Sequence, residues 1–232
     1  MAYIPSSTHT PIKVARTVNE FKRRTNEMSA DICVIGSGPG GAVSAALFAE
    51  SGRNVVLLEE GEHLPLESAP HFSHHEILQK YRNAGISIAL GRAKIAFVEG
   101  RCVGGGSEVN RGLYHRTPDY ILEKWRSEFD VRDLSPGDLA PHFVACEQTA
   151  RVEFLPGTPS PMSLRLLDGA SKLGWQCKEA ARLCSYGTGI LDRRQSMSQT
   201  FIPRFLAAGG RLIAETRADC LHRSSGRWRI SA

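Results

Sequence analysis

No stretch of the 232 residues approaches the roughly 20 consecutive apolar positions that a membrane-spanning helix needs. The first 30 residues also lack the apolar core of a secretory signal. The sequence therefore predicts a chain with no transmembrane span, in a cytoplasmic setting. Six cysteines are present (Cys33, Cys102, Cys146, Cys177, Cys184, Cys220), but none form a Cys-x-x-Cys pair, and neither a zinc site nor a redox dithiol is indicated. They are expected as small apolar filler in a reduced compartment. There is no Gly-x-Ser-x-Gly elbow, so a nucleophilic hydrolase has no support. There is no internal repeat or low-complexity tract, and a composition close to the globular average excludes a disordered tail, a collagen or a coiled coil.

What is present is ordinary for a folded α/β protein. Hydrophobic residues make up 41% and charged residues 23% of a chain long enough for one large domain. The net charge of +5 sits at the ends: residues 1–30 hold five basic groups against Glu20 and Glu27, and residues 211–232 hold five arginines against Glu215 and Asp219. Basic ends on a nearly neutral middle read as solvated termini and not as a nucleic-acid stripe.

Residues 1–29 read as a polar leader, with Val14, Val18 and Phe21 on one side of a short helix. At Asp31–Ile35 the texture changes to an apolar, β-branched run, the pattern of a strand buried on both faces. A helix follows over Gly40–Ser51, carrying Ala42, Ala45, Ala46 and Ala49 and ending at Gly52. Asn54–Glu59 is a second buried strand, so a right-handed crossover onto a parallel sheet is predicted. Further on, the sequence predicts a helix at His74–Asn83, a strand at Ile95–Val98 and a glycine-rich loop from Gly100 to Gly112. Helices are expected at Tyr120–Glu128, at Pro136–Arg151 after a Ser135 cap, and at Leu164–Leu173, with residues 156–161 as a proline-bearing loop. Ser198–Ala208 reads as a helix stopped by Gly209-Gly210, followed by strands at Arg211–Ala214, Arg217–Leu221 and Trp228–Ile230.

Two motifs carry chemistry. The first is Gly36-x-Gly38-x-x-Gly41, between the first strand and the helix. Gly36 permits the tight turn, Gly38 lets a pyrophosphate approach the backbone, and Gly41 lets helix and strand pack closely. The helix N-terminus then offers unpaired N–H groups to phosphates. Glu59 lies 23 residues after Gly36 and can accept both ribose hydroxyls, which favours an unphosphorylated adenosine ribose. Glu60 is the alternative acceptor, but strand alternation and Gly61 favour Glu59. The second motif is the run Gly104-Gly105-Gly106-Ser107-Glu108-Val109-Asn110, whose backbone N–H groups and short polar side chains suit close contact with a flat, polar-edged ligand.

Together these segments resemble the glucose–methanol–choline (GMC) oxidoreductases, flavoenzymes that oxidise alcohols. The strand and glycine turn followed by Val-Val-Leu-Leu-Glu-Glu-Gly are similar to that family's adenine-dinucleotide site. Val103–Asn110 is similar to its first signature, which Arg116 and Trp125 continue, and Ser196–Pro203 through Gly209–Ile213 resembles the return to the flavin sheet. The resemblance implies an α/β fold: a Rossmann-like FAD-binding parallel sheet with helices, over 30–118, plus part of a mainly helical cap or substrate region over 119–208. Return strands over 209–232 would rejoin the FAD domain, with the C-terminal half of the family fold absent.

It also implies FAD, lined by Gly36, Gly38 and Gly41 at the pyrophosphate, by Glu59 at the ribose, and by Gly104, Gly105, Ser107 and Asn110 beside the flavin. Cys220 would present its backbone to the adenine. His115 lies five residues past Asn110, off the positions where some members attach flavin, so FAD is expected to be non-covalent. The substrate class implied is a small-molecule alcohol, and no oligomeric state is set. The family's catalytic histidine and its partner belong to the C-terminal half, so no catalytic residue is assigned here and a truncated product is expected. A nicotinamide-dependent dehydrogenase would need only the first motif, and a non-catalytic dinucleotide-binding fragment is the other alternative. His71, His74, His75 and Glu76 read as an exposed cluster and not as a metal site.

Overall fold

The computed structural model describes residues 27–187 and 193–232, so the expected leader lies almost entirely outside the described residues. Strand β1 (Ile32–Ile35), helix α1 (Pro39–Glu50) and strand β2 (Val55–Leu58) form the predicted unit, with β1 and β2 parallel from Ile32 opposite Val55 to Ile35 opposite Leu58. β2 is buried along its whole length because it is the middle strand, which is why it reads as an unbroken apolar run. α1 buries Ala42, Ala45, Ala46 and Ala49, a stripe of methyl groups that lets its axis lie close to the sheet.

Helix α2 (His74–Lys80) is capped by Ser73, whose hydroxyl accepts from the Glu76 N–H. It ends earlier than predicted. Tyr81 turns extended to bridge Gly100, and Asn83 and Ala84 take left-handed conformations (φ 51° and 50°). Strands β3 (Ser87–Ala89) and β4 (Ile95–Phe97) form an antiparallel hairpin, of which the sequence indicated only β4. A short helix, α3 (Gly106–Val109), sits inside the stretch predicted as a loop.

Beyond it come β5 (Leu113–Tyr114), α4 (Asp119–Phe129), α5 (Pro136–Thr149), β6 (Val152–Glu153), α6 (Pro161–Lys172), β7 (Ala181–Ser185) and β8 (Arg193–Arg194). The three helices fall where predicted, and Ser135 forms a full capping box with Asp138. Short strands accompany these helices: β7 pairs antiparallel with β5, β6 and β8 in a small second sheet.

A 3-10 turn at Met197–Gln199 precedes helix α7 (Phe201–Ala207); Thr200, at φ −125° and ψ −81°, separates the two where one helix was predicted. α7 buries Phe201, Ile202 and Phe205 in the core shared with the α1 alanines, Val55, Leu57 and Val103. Arg204 clamps it to α1 through a bidentate pair with Glu50 at 2.9 and 2.8 Å. Strand β9 (Arg211–Ile213) then runs parallel to β2 and completes the order β1-β2-β9. Strands β10 (Cys220–Ser224) and β11 (Arg227–Ser231) pair with each other in a separate hairpin.

Two expectations need correction. Cys102 is buried, Cys33, Cys146 and Cys184 are half-buried, with Cys146 packed against the core, and Cys177 and Cys220 are exposed, so filler does not describe these last two. Glu76 is not part of an exposed cluster: it is 3% accessible because the Phe72 N–H (2.7 Å), His71 Nδ1 (3.2 Å) and Lys80 Nζ (3.4 Å) all converge on its carboxylate. Among the described residues, no helix is long and apolar enough to cross a membrane.

Candidate dinucleotide site

The two glycine motifs, far apart in sequence, meet at the C-terminal end of β1. Gly36, at φ +88°, turns the chain out of the strand, and a Cβ on Gly41 would lie 1.8 Å from the Gly36 carbonyl oxygen, so the crossing requires glycine there. α1 starts at Pro39 with no side-chain cap and no acidic residue in its first turn. Open space surrounds the Cβ positions of Gly36, Gly38 and Gly40. Uncapped amides with room above them are the surroundings a pyrophosphate needs.

Beside this turn, Glu59 continues β2 and is 6% accessible. Its Oε2 accepts from the Ser37 N–H (2.9 Å) and hydroxyl (2.7 Å), and its Oε1 accepts from the Gly61 N–H (2.9 Å). A carboxylate has about four acceptor positions, so roughly one stays open on Oε1 for a ribose hydroxyl, fewer than the pair anticipated from sequence. Glu60 points elsewhere, into an ion pair with Arg82; that hydrogen bond holds its carboxyl below the ordinary carboxylate value. The backbone past β9 closes in as well, where the Thr216 N–H donates to the Glu59 carbonyl at 2.8 Å. Cys220 lies on β10, paired with Ser231.

The second loop is laid directly on the first. Gly104, at φ +98°, donates its N–H to the Ser37 hydroxyl at 3.0 Å. A Cβ on Gly105 would lie 2.8 Å from the Gly38 Cα. α3 is braced from behind. The Ser107 hydroxyl donates to the Gly104 carbonyl (2.7 Å) and accepts from the Met197 N–H (2.9 Å), and Glu108 Oε1 accepts from the Ser198 N–H (3.3 Å). Ser107 is 2% accessible with its hydroxyl spent inside the protein, so it holds the loop in place. Asn110 is exposed, and its Oδ1 accepts from the Gly112 N–H at 2.8 Å.

The Arg194 guanidinium donates to the carbonyls of Glu108 and Asn110, the free end of α3, and burial pulls it below its ordinary value. Sequence reasoning missed Ser37 and Arg194. Ser37 stood at a free position of the glycine pattern, between Gly36 and Gly38, and neither it nor Arg194 gave a signal. Elsewhere, Arg116 forms a bidentate pair with Glu147 at 2.6 Å, burial and the Glu147 hydrogen bond push the Tyr114 hydroxyl up to about 12, and His115 and Trp125 lie exposed.

A parallel strand–turn–helix–strand unit with a carboxylate after its second strand defines a Rossmann-like dinucleotide-binding protein. Residues 34–74 accordingly match the NAD(P)-binding Rossmann-like domain model. Residues 76–228 match the N-terminal model of the GMC oxidoreductases, and the chain belongs to that family.

Among curated proteins it is 34% identical over 214 residues to the uncharacterised GMC-type oxidoreductase y4nJ of Sinorhizobium fredii, covering 87% of this chain and 41% of the relative. It is 35% identical over 105 residues to the long-chain-alcohol oxidase FAO3 of Arabidopsis thaliana, covering 45% of this chain and 14% of the relative. Among solved structures, pyridoxine 4-oxidase from Mesorbium loti superimposes with a TM-score of 0.68 at 16% identity, covering 87% of this chain and 45% of that one. A formate oxidase from Aspergillus oryzae RIB40, studied for the effect of a mutation on FAD modification, gives 0.62 at 14% identity, covering 82% and 39%. The chain thus spans less than half the length of these relatives.

Proposed function

We propose that the chain is the FAD-binding part of a cytoplasmic GMC-type oxidoreductase acting on the CH–OH group of a small-molecule alcohol, with hydride passing to the flavin. The observation that carries this reading is the seating of the Gly104 loop on the Gly36–Gly41 turn, through Ser37 and the Gly105–Gly38 contact. A nicotinamide enzyme needs the turn but has no use for the second loop laid over it. In this reading Gly36, Gly38, Gly41 and the first-turn amides of α1 take the pyrophosphate, and Glu59 takes the adenosine ribose. Gly104, Gly105 and Asn110 run beside the flavin, Ser107 holds them from beneath, and the backbone leading to Cys220 flanks the adenine.

When bound, FAD supplies the hydride acceptor; the protein supplies position and electrostatics. FAD is held without a covalent bond, since His115 is off the matched attachment positions and exposed. No residue of this chain is assigned as the base that would take the hydroxyl proton, and loss of a general base alone costs roughly 10²–10⁴-fold in rate.

The test starts from protein purified with added FAD, with visible spectra recorded before and after acid precipitation. Flavin bands in the folded protein that move to the acid supernatant are expected; a folded protein with no flavin bands would refute the reading, and flavin retained in the pellet would refute the non-covalent part. Mixed anaerobically with short and long alcohols, choline, glucose and a sterol, the loaded chain should keep its flavin band. Bleaching within seconds would mean that a working base lies within the 232 residues.

A further inference from the structure

Ser37 is 0% accessible, yet its side chain touches both halves of the site. Its hydroxyl oxygen accepts from the Gly104 N–H, a group that can only donate, so its proton is directed at Glu59 Oε2. The result is a polarised chain, Gly104 N–H to Ser37 O–H to the Glu59 carboxylate, buried throughout and ending on an anion. The same oxygen of Glu59 takes the Ser37 N–H, which turns the carboxylate so that the open position lies on Oε1 beside Gly61. A side chain thereby ties the ribose carboxylate to the second loop.

We propose that Ser37 is the positioning residue of this site: its hydroxyl orients Glu59 toward the adenosine ribose and fixes the Gly104–Asn110 loop to the same anion, so that the adenosine and flavin ends are set by one hydroxyl group. The proposal rests on the reading of the site as one for FAD. It assigns work to a position that the glycine pattern leaves free. The Ser37 effect on binding runs through Glu59; a serine that merely filled space would act independently of that carboxylate.

The experiment is a double-mutant cycle read by binding. Wild type, Ser37→Ala, Glu59→Gln and the double variant are titrated with FAD by flavin fluorescence and with ADP by calorimetry. Ser37→Ala should raise both dissociation constants by roughly 10-fold, the worth of a hydrogen bond to a charged group. Adding Ser37→Ala to Glu59→Gln should cost no more than about 2-fold beyond Glu59→Gln alone. Multiplying effects in the double variant, or a Ser37→Ala protein within about 2-fold of wild type, would overturn the proposal while leaving the FAD reading intact. Wild type that binds neither ligand would overturn both. Ser37→Cys, close in volume but a poor donor, covers the case in which Ser37→Ala fails to fold: it should fold and bind as weakly as predicted for alanine, and tight binding by it would overturn the proposal.

Discussion

Glu59 and Glu60 are adjacent and chemically identical, yet their partners separate them. Glu59 gathers three donors from the glycine turn and its flank, whereas Glu60 is committed to Arg82, which also reaches Glu99 at 3.2 Å. Glu59→Ala should therefore weaken FAD binding by roughly 10- to 100-fold, as expected for lost charge-assisted hydrogen bonds, and Glu60→Ala should leave it nearly unchanged. Fluorescence titration decides between them, and a larger effect at Glu60 would reject the assignment. Glu60 should show itself in stability instead. Its folded value is depressed by the Arg82 hydrogen bond, so its contribution is present above the ordinary carboxylate value and is lost as pH falls through the lower folded value. Thermal melts should find Glu60→Ala less stable than wild type near neutral pH, by less than about 1 kcal/mol for a partly exposed pair, and equal to it well below pH ~4. The cysteines divide as sharply. Burial, with Glu108 and Glu59 adding to it, pushes the Cys102 thiol up to about 12, so the reactive thiolate is scarce there. Mass spectrometry after brief labelling of native protein near pH ~8 should find Cys177 and Cys220 modified first and Cys102 only after unfolding.

The β1–α1–β2 unit depends on one backbone crossing more than on any side chain. Gly41→Ala would drive a methyl group into the Gly36 carbonyl, and the strand and helix would have to part. A loss of at least ~1–3 kcal/mol in chemical denaturation is expected, with FAD binding lost alongside. Gly40→Ala has nothing within 4 Å of its new Cβ and should hold or gain stability by about 0.4–1 kcal/mol. If both variants melt alike, the crossing is not what fixes the turn. This unit was legible in the sequence because a middle parallel strand shows as a solid apolar run, and because four alanines at helical spacing have few other uses. The second sheet was not. β5, β6 and β8 are two residues each and β7 alternates poorly, so their pairing rests on contacts between segments some 10 to 70 residues apart. The site was half legible for the same reason: each glycine loop announced itself, but their meeting, and the hydroxyl of Ser37 between them, exist only in three dimensions.

Over the whole molecule, much apolar surface faces solvent. Ile86 (73% accessible), Leu90 (85%) and Ile95 (60%) lie on or beside the β3–β4 hairpin, and α6 has no buried residue while exposing Met162 and Leu166. Apolar area of this kind promotes association. Light scattering across a concentration series should show the particle mass of the 232-residue chain rising, and mild detergent should reverse it; a constant monomer mass at high concentration would contradict this.

The tie between Ser37 and Gly104 brackets a segment 67 residues long that includes the exposed turn Leu90–Lys94. The β2–β9 pairing and the packing of α1 on α7 also join the two sides of this turn, so the chain can be cut there without parting them. Trypsin entering at Arg92 or Lys94 would turn one polypeptide into two while both glycine loops stayed on a single particle. By the same token, this turn is where new chain ends, a fluorescent tag or an inserted sequence could be placed with little disturbance to the two glycine loops.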